Sequence, residues 1–167
     1  YQQVRAQDRF LLFNAYGPWE GNWRHRGYEA LLMDLALDPE WVMEMGTALI
    51  DLLIDVLRHC IALKMKPDGL FLVDDLACAR GPLFSRNTWR SVFKPMYQKL
   101  GSFLQENDIA FWMHCCGKVT ELIPDLIECG LKVLQPLQAN VGMDVRLLKK
   151  EYGDRLAFWG NIDAQKM

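Results

Sequence analysis

The chain has 167 residues, 51% of them hydrophobic and 24% charged, and its 19 basic and 21 acidic side chains leave a formal net charge of −2. That length supports one sizeable core, and the charge balance, without any basic block or stripe, argues against nucleic acid or an anionic membrane as partner. The cysteines (Cys60, Cys78, Cys115, Cys116 and Cys129) are odd in number and lack the spacing of a disulfide framework. With no signal peptide and no apolar run of about 18 residues, a reducing cytoplasm is the expected compartment.

Residues 9–14 read as a strand, closed by a loop over residues 17–22. A short helix follows over residues 28–35. Asp38, Pro39 and Glu40 then make a helix start: a capping side chain, a proline for the first turn and an acid at the positive helix end. Val42, Met45, Leu49, Leu52, Leu53 and Val56 hold one apolar face as far as residue 63. Pro67, Asp68 and Gly69 turn the chain into the apolar run 70–73, which Asp74 and Asp75 follow directly. A helix over residues 88–106 is predicted, capped by Asn87 and kinked at Pro95, whose ring removes a helical donor.

The apolar run 109–113 leads as a strand into His114, Cys115, Cys116 and Gly117. A helix over residues 119–128 stops at Gly130, and a strand at 132–134 precedes a polar loop over 135–142. Asp144 caps a helix to residue 152, and a final strand at 156–159 ends in Gly160, Asn161, Ile162 and Asp163. Cys60 and Cys129 fall among apolar helical residues and read as buried thiols.

Short strands that are apolar throughout predict burial on both faces, hence a parallel α/β sheet between helices. A doubly wound sheet and a (β/α)8 barrel both fit that alternation, and no glycine-rich phosphate turn points to the first. Polar residues instead follow strand after strand: Asp74 and Asp75, His114 and Cys116, Gln135, then Asn161 and Asp163. Gathering them round one mouth favours a TIM barrel, which at about 250 residues for a whole one leaves roughly five of the eight units here. The start at Tyr1 without a methionine, and the stop just after a strand, predict a piece of a longer polypeptide forming one partial barrel domain over residues 1–167. Its open edges predict assembly with the remainder of the barrel or self-association.

Residues two apart in a strand share a face, so His114 and Cys116 converge while Cys115 turns away. An imidazole and a thiolate are good zinc donors; the alternative is a hydrogen-bonded strand-end histidine beside a small buried thiol. Asp74 and Asp75 are candidate catalytic acids or bases, or partners that orient a metal ligand. They are equally candidates for a helix cap or an ion pair with Arg80. Arg80, Gln135, Asn161 and Asp163 are candidate substrate contacts, Asn161 and Asp163 also suiting the task of tying down the next loop. Trp19, Trp23, Arg24 and His25 read as a polar-aromatic loop beside the pocket.

Residues 69–76 (GLFLVDDL) with 81–85 (GPLFS), the His114–Gly117 tetrapeptide HCCG, residues 122–127 (LIPDLI) and 160–163 (GNID) together resemble the uroporphyrinogen decarboxylase superfamily. Residues 29–36 (EALLMDLA) before Asp38, Pro39 and Glu40 extend the resemblance over nearly the whole chain. That superfamily includes zinc-dependent methyltransferases acting on corrinoid (cobalamin) proteins or on coenzyme M, and the resemblance implies a (β/α)8 barrel. Its decarboxylases use no metal and hold substrate carboxylates with an arginine-rich segment that this chain lacks. Its methyltransferases carry a His-x-Cys pair and a distant downstream cysteine as zinc ligands. His114 and Cys116 match the pair, and the third ligand would lie beyond Met167.

The resemblance therefore implies zinc-dependent methyl transfer between a corrinoid (methylcobalamin) protein and a thiol or other small acceptor. Cofactor-free decarboxylation in porphyrin biosynthesis is one alternative, and a non-catalytic ligand-binding or truncated barrel another. The expected partners are a small-molecule substrate and a corrinoid protein.

Overall fold

A computed structural model describes residues 1–163 and 166. A short α1 (Gln2–Arg5) precedes β1 (Leu12–Tyr16), α2 (Pro18–Arg26), α3 (Tyr28–Leu37) and α4 (Pro39–Ala62). Next come β2 (Gly69–Val73), the small hairpin of β3 (Ala77–Cys78) and β4 (Gly81–Pro82), then α5 (Arg86–Thr88) and α6 (Lys94–Glu106). The chain ends through β5 (Ala110–His114), α7 (Ile123–Glu128), β6 (Val133–Gln135), α8 (Val145–Tyr152) and β7 (Ala157–Phe158). The long strands form one sheet in the order β1-β2-β5-β6-β7, every neighbouring pair parallel. This is part of a (β/α)8 barrel, with five of its strands present.

One face of the sheet makes the core. Leu70, Leu72, Phe111, Met113 and Leu134 are buried against Ile54, Leu57, Phe93, Leu100, Leu104 and Leu126 of the helices, each such side chain worth about 1.5–3 kcal/mol. The other face is only half covered, which corrects the expectation of strands buried on both sides: alternate residues of β2, β5 and β6 are partly exposed. Five strands do not close on themselves, so this concave face is roofed mainly by its own aromatic rings. Trp159 reaches across it to Phe71 and Trp112, with ring centroids 5.8 and 6.0 Å apart, and Phe10 stacks on Trp112 at 5.4 Å.

Asp38 and Asp144 cap α4 and α8 as their sequence positions predict, accepting from Trp41 N at 3.1 Å and Arg146 N at 2.9 Å. Three local features differ. The cap of α5 is Ser85, not Asn87; its Oγ accepts from Thr88 N at 3.0 Å. The disturbance expected at Pro95 sits just before it, as a π-helical turn over Trp89–Phe93 in which Lys94 N–H reaches back to the carbonyl of Trp89. A wider turn accommodates a proline that cannot donate to the preceding turn. Residues 17–22, expected as a loop, belong mostly to α2, with Pro18 in its first turn. Cys129 is buried, but Cys60 is only partly so. Among the described residues no helix is long and apolar enough to cross a membrane.

Candidate metal centre

The parallel register sets Val73 beside His114 and His114 beside Gln135, so β2, β5 and β6 end level with one another. The polar residues that follow these strands therefore meet at one rim. His114 Nε2 lies 3.3 Å from Cys116 Sγ and 3.5 Å from Asp75 Oδ1. A set of donor atoms from Asp75, His114 and Cys116 lies within 4.8 Å of one another, all three side chains partly buried. The other imidazole nitrogen, Nδ1, pairs with Gln135 Oε1. Because an amide oxygen only accepts, this bond places the ring proton on Nδ1 and leaves the Nε2 lone pair facing the thiol.

These donors fit zinc. Nitrogen, sulfur and oxygen ligands at about 2.0–2.3 Å from a tetrahedral ion stand about 3.4–3.6 Å apart, and the His114–Cys116 separation is close to that. The charges fit as well. Burial, the Asp75 carboxylate and the Glu20 carboxylate push the Cys116 thiol upward, the opposite of what a bound divalent cation does to a thiol. Cys115 faces the other way. It is buried, accepts from Leu76 N at 3.3 Å, and burial raises its thiol well above the ordinary range.

The two aspartates part company. Asp75 lies at the rim, its Oδ1 accepting from Cys116 N at 2.7 Å. Asp74 is fully buried on the helix side, where its carboxylate accepts from Trp19 N at 3.3 Å, Glu20 N at 2.5 Å and the Tyr97 hydroxyl at 2.5 Å. Burial drives the Asp74 carboxyl up to about 7 in spite of these donors. It sits over the N-terminus of α2, the place where a negative group is favoured. A Cβ on Gly17 would stand 2.3 Å from Asp74 Oδ2, so only glycine lets the strand end pass so close.

Arg80 stands exposed in the β3–β4 hairpin and forms no ion pair with either aspartate. Asn161 donates from Nδ2 to the carbonyls of Leu137 at 2.9 Å and Met143 at 2.5 Å, which ties the loop down. Asp163 lines a cleft of about 250 Å³ that opens beside Cys116 and is lined also by Gln138, Asn140 and Ile162. Gln138 holds the cysteine turn from this side, its Oε1 accepting from Gly117 N at 2.9 Å.

Of the aromatic segment, Trp19 is buried in the core, and His25 points its Nδ1 at the carbonyl of Gly21. Glu20, which the sequence reading passed over, is almost fully buried, with Arg24 on its Oε1 at 2.6 Å and Asp75 N at 3.5 Å from its Oε2. Its signal was the E-x-x-x-R spacing, which pairs across one helical turn.

A half-open parallel α/β barrel with nitrogen, sulfur and oxygen donors at the carboxyl ends of its strands defines the class, since barrel chemistry is placed at that end. Residues 14–167 match the uroporphyrinogen decarboxylase family, and the chain belongs to that family. It is 30% identical over 82 residues to the methylcobamide:CoM methyltransferase MtaA of Methanosarcina barkeri, an alignment covering 49% of this chain and 23% of that protein. In structure it is similar to a methyltransferase from Methanosarcina mazei, with a TM-score of 0.73 at 17% identity over 96% of this chain and 46% of that one. The match thus spans less than half the length of either relative.

Proposed function

We propose that this protein is a methyltransferase of the uroporphyrinogen decarboxylase family that holds zinc through His114 and Cys116. It moves a methyl group between a corrinoid protein and a thiol or another small acceptor. The observation that carries the reading is the convergence of His114 Nε2 and Cys116 Sγ, 3.3 Å apart, at the strand end where the fold places chemistry. The likeness to a protein described as a methylcobamide:CoM methyltransferase supports the same branch. Zinc bound here would lower the pKa of a thiol acceptor and so raise the fraction present as the reactive thiolate.

The chain's own residues prepare that position. Gln135 is a positioning residue that fixes the His114 tautomer rather than a substrate contact, and Asp74 is a structural anchor for α2 rather than a catalytic acid. Asp75 is the aspartate that reaches the reacting position. Asp163, beside Cys116 in the cleft, is the substrate contact this chain offers, while Arg80 and Asn161 stand back from it. The test is zinc content of the purified protein together with methyl transfer from methylcobalamin to a thiol by the parent and its Cys116→Ala variant. Zinc near one per chain and loss of transfer in the variant are expected. Full activity in the variant overturns the mechanism, and a metal-free protein that decarboxylates uroporphyrinogen moves it to the decarboxylase branch.

A further inference from the structure

Resting on the reading of His114 and Cys116 as zinc ligands, we infer that Asp75 is a third ligand. The donor set for the ion is then held within these 167 residues, with no ligand required beyond Met167. The placement of Asp75 carries the inference. A carboxylate that merely orients a metal-binding imidazole bonds the ring nitrogen remote from the metal, and Gln135 already occupies that nitrogen. Asp75 faces Nε2 instead, the same nitrogen that faces Cys116 Sγ. Its Oδ1 stands 3.5 Å from Nε2, close to the ~3.4 Å separating oxygen and nitrogen ligands on a tetrahedral zinc.

The carboxylate is held where it is needed. Cys116 N–H donates to Oδ1 at 2.7 Å, which leaves Oδ2 and the remaining Oδ1 lone pair for an ion. Among the described residues no lysine or arginine forms an ion pair with Asp75, so the neighbouring Cys116 and Glu20 add negative charge without a compensating guanidinium on this carboxylate. A divalent cation supplies that compensation. Three protein donors leave one tetrahedral position for a substrate atom, and the cleft beside Cys116 opens toward it.

The experiment is cobalt(II) and zinc titration of the purified protein and three variants, Asp75→Asn, Asp75→Glu and Cys116→Ala, with zinc affinity measured against a chromophoric chelator. Asparagine keeps the acceptor for Cys116 N–H while removing the charge, so the rim stays folded. The parent is expected to show tetrahedral cobalt bands and a sulfur-to-cobalt charge-transfer band. Asp75→Asn should weaken zinc binding by about 100-fold, the top of the range for losing a ligand's hydrogen-bond partner or beyond it. It should alter the cobalt bands, keep the charge-transfer band, and be partly rescued by Asp75→Glu. Unchanged affinity and bands in Asp75→Asn overturn the third-ligand inference and leave the His–Cys pair standing. A charge-transfer band that survives in Cys116→Ala, or a parent that binds neither ion, overturns the pair itself.

Discussion

Asp125 offers the sharpest test of what holds the helix layer together. Its carboxylate is fully buried at the start of α7, yet it accepts from Arg86 Nε at 2.6 Å, Arg90 Nε at 2.9 Å and Lys94 Nζ at 2.6 Å. Burial alone would raise the Asp125 carboxyl, but the bonds from Lys94, Arg86 and Arg90 outweigh it and hold the group down to about 2. Asp125→Asn keeps the shape and removes the charge that three cations face. Breaking a buried pair costs about 3–5 kcal/mol; because Arg86 and Arg90 are 39% and 46% exposed and water screens them, the low end applies.

The pH dependence follows from the sign of the shift. A carboxyl depressed from 3.8 to about 2 contributes stability that is fully present above pH 4 and is lost as pH falls through about 2. Linkage over that interval amounts to roughly 2.5 kcal/mol, of which about 1 kcal/mol is gone by pH 3. Urea unfolding of parent and variant at pH 7, 4 and 3 measures both quantities. We expect a gap of about 3 kcal/mol at pH 7 that narrows by about 1 kcal/mol at pH 3. A gap below 1 kcal/mol at pH 7, or one that stays constant to pH 3, refutes the assignment of this stability to the carboxylate's charge.

Three further outcomes follow from single contacts. Gln135→Leu should weaken zinc binding by about 10–100-fold through a free imidazole tautomer, with the metal-free thermal transition unchanged; equal affinity would show that the His114 bond does no positioning. Tyr97→Phe removes a hydroxyl from the buried Asp74 carboxylate and should cost about 1–3 kcal/mol in urea unfolding, so an unaltered midpoint contradicts that role. Gly101→Ala would place a Cβ 1.8 Å from the carbonyl oxygen of Cys129. Backbone cannot yield as a side chain does, so a loss of at least about 1–3 kcal/mol is expected by thermal unfolding.

The sequence made the strands and their polar ends legible because apolar runs and turn residues are local signals. α2 was not legible, since Gly17, Pro18, Gly21 and Asn22 carry the chemistry of a loop. What lets a helix start there is the Asp74 carboxylate, brought from more than fifty residues away to accept from Trp19 and Glu20. No local rule sees a cap of that kind. The division of labour between the aspartates was within reach, however. Leu70, Leu72 and Asp74 alternate with Phe71, Val73 and Asp75, so a period of two already sends them to opposite faces. Missing was only the knowledge that the leucine face meets the helices. The expected third ligand beyond Met167 came from the family resemblance, and it drew attention away from a carboxylate two strands' width from the histidine.

Register is what turns these scattered residues into one centre. Val73 pairs with His114, so Asp75 and Cys116, each two residues further on, emerge on the same face and close to each other. His114 pairs in turn with Gln135, which puts the amide against Nδ1. A slip of one residue between β2 and β5 would send His114 and Cys116 into the helix layer and bring Cys115 to the rim. The same slip would carry Phe111 and Met113 out of the core, where both are at most 2% exposed. Burying those two side chains is worth about 3–6 kcal/mol, so the core that fixes the register also fixes the donor geometry. A substitution that lets β5 slide should therefore abolish metal binding without touching any of the three donors.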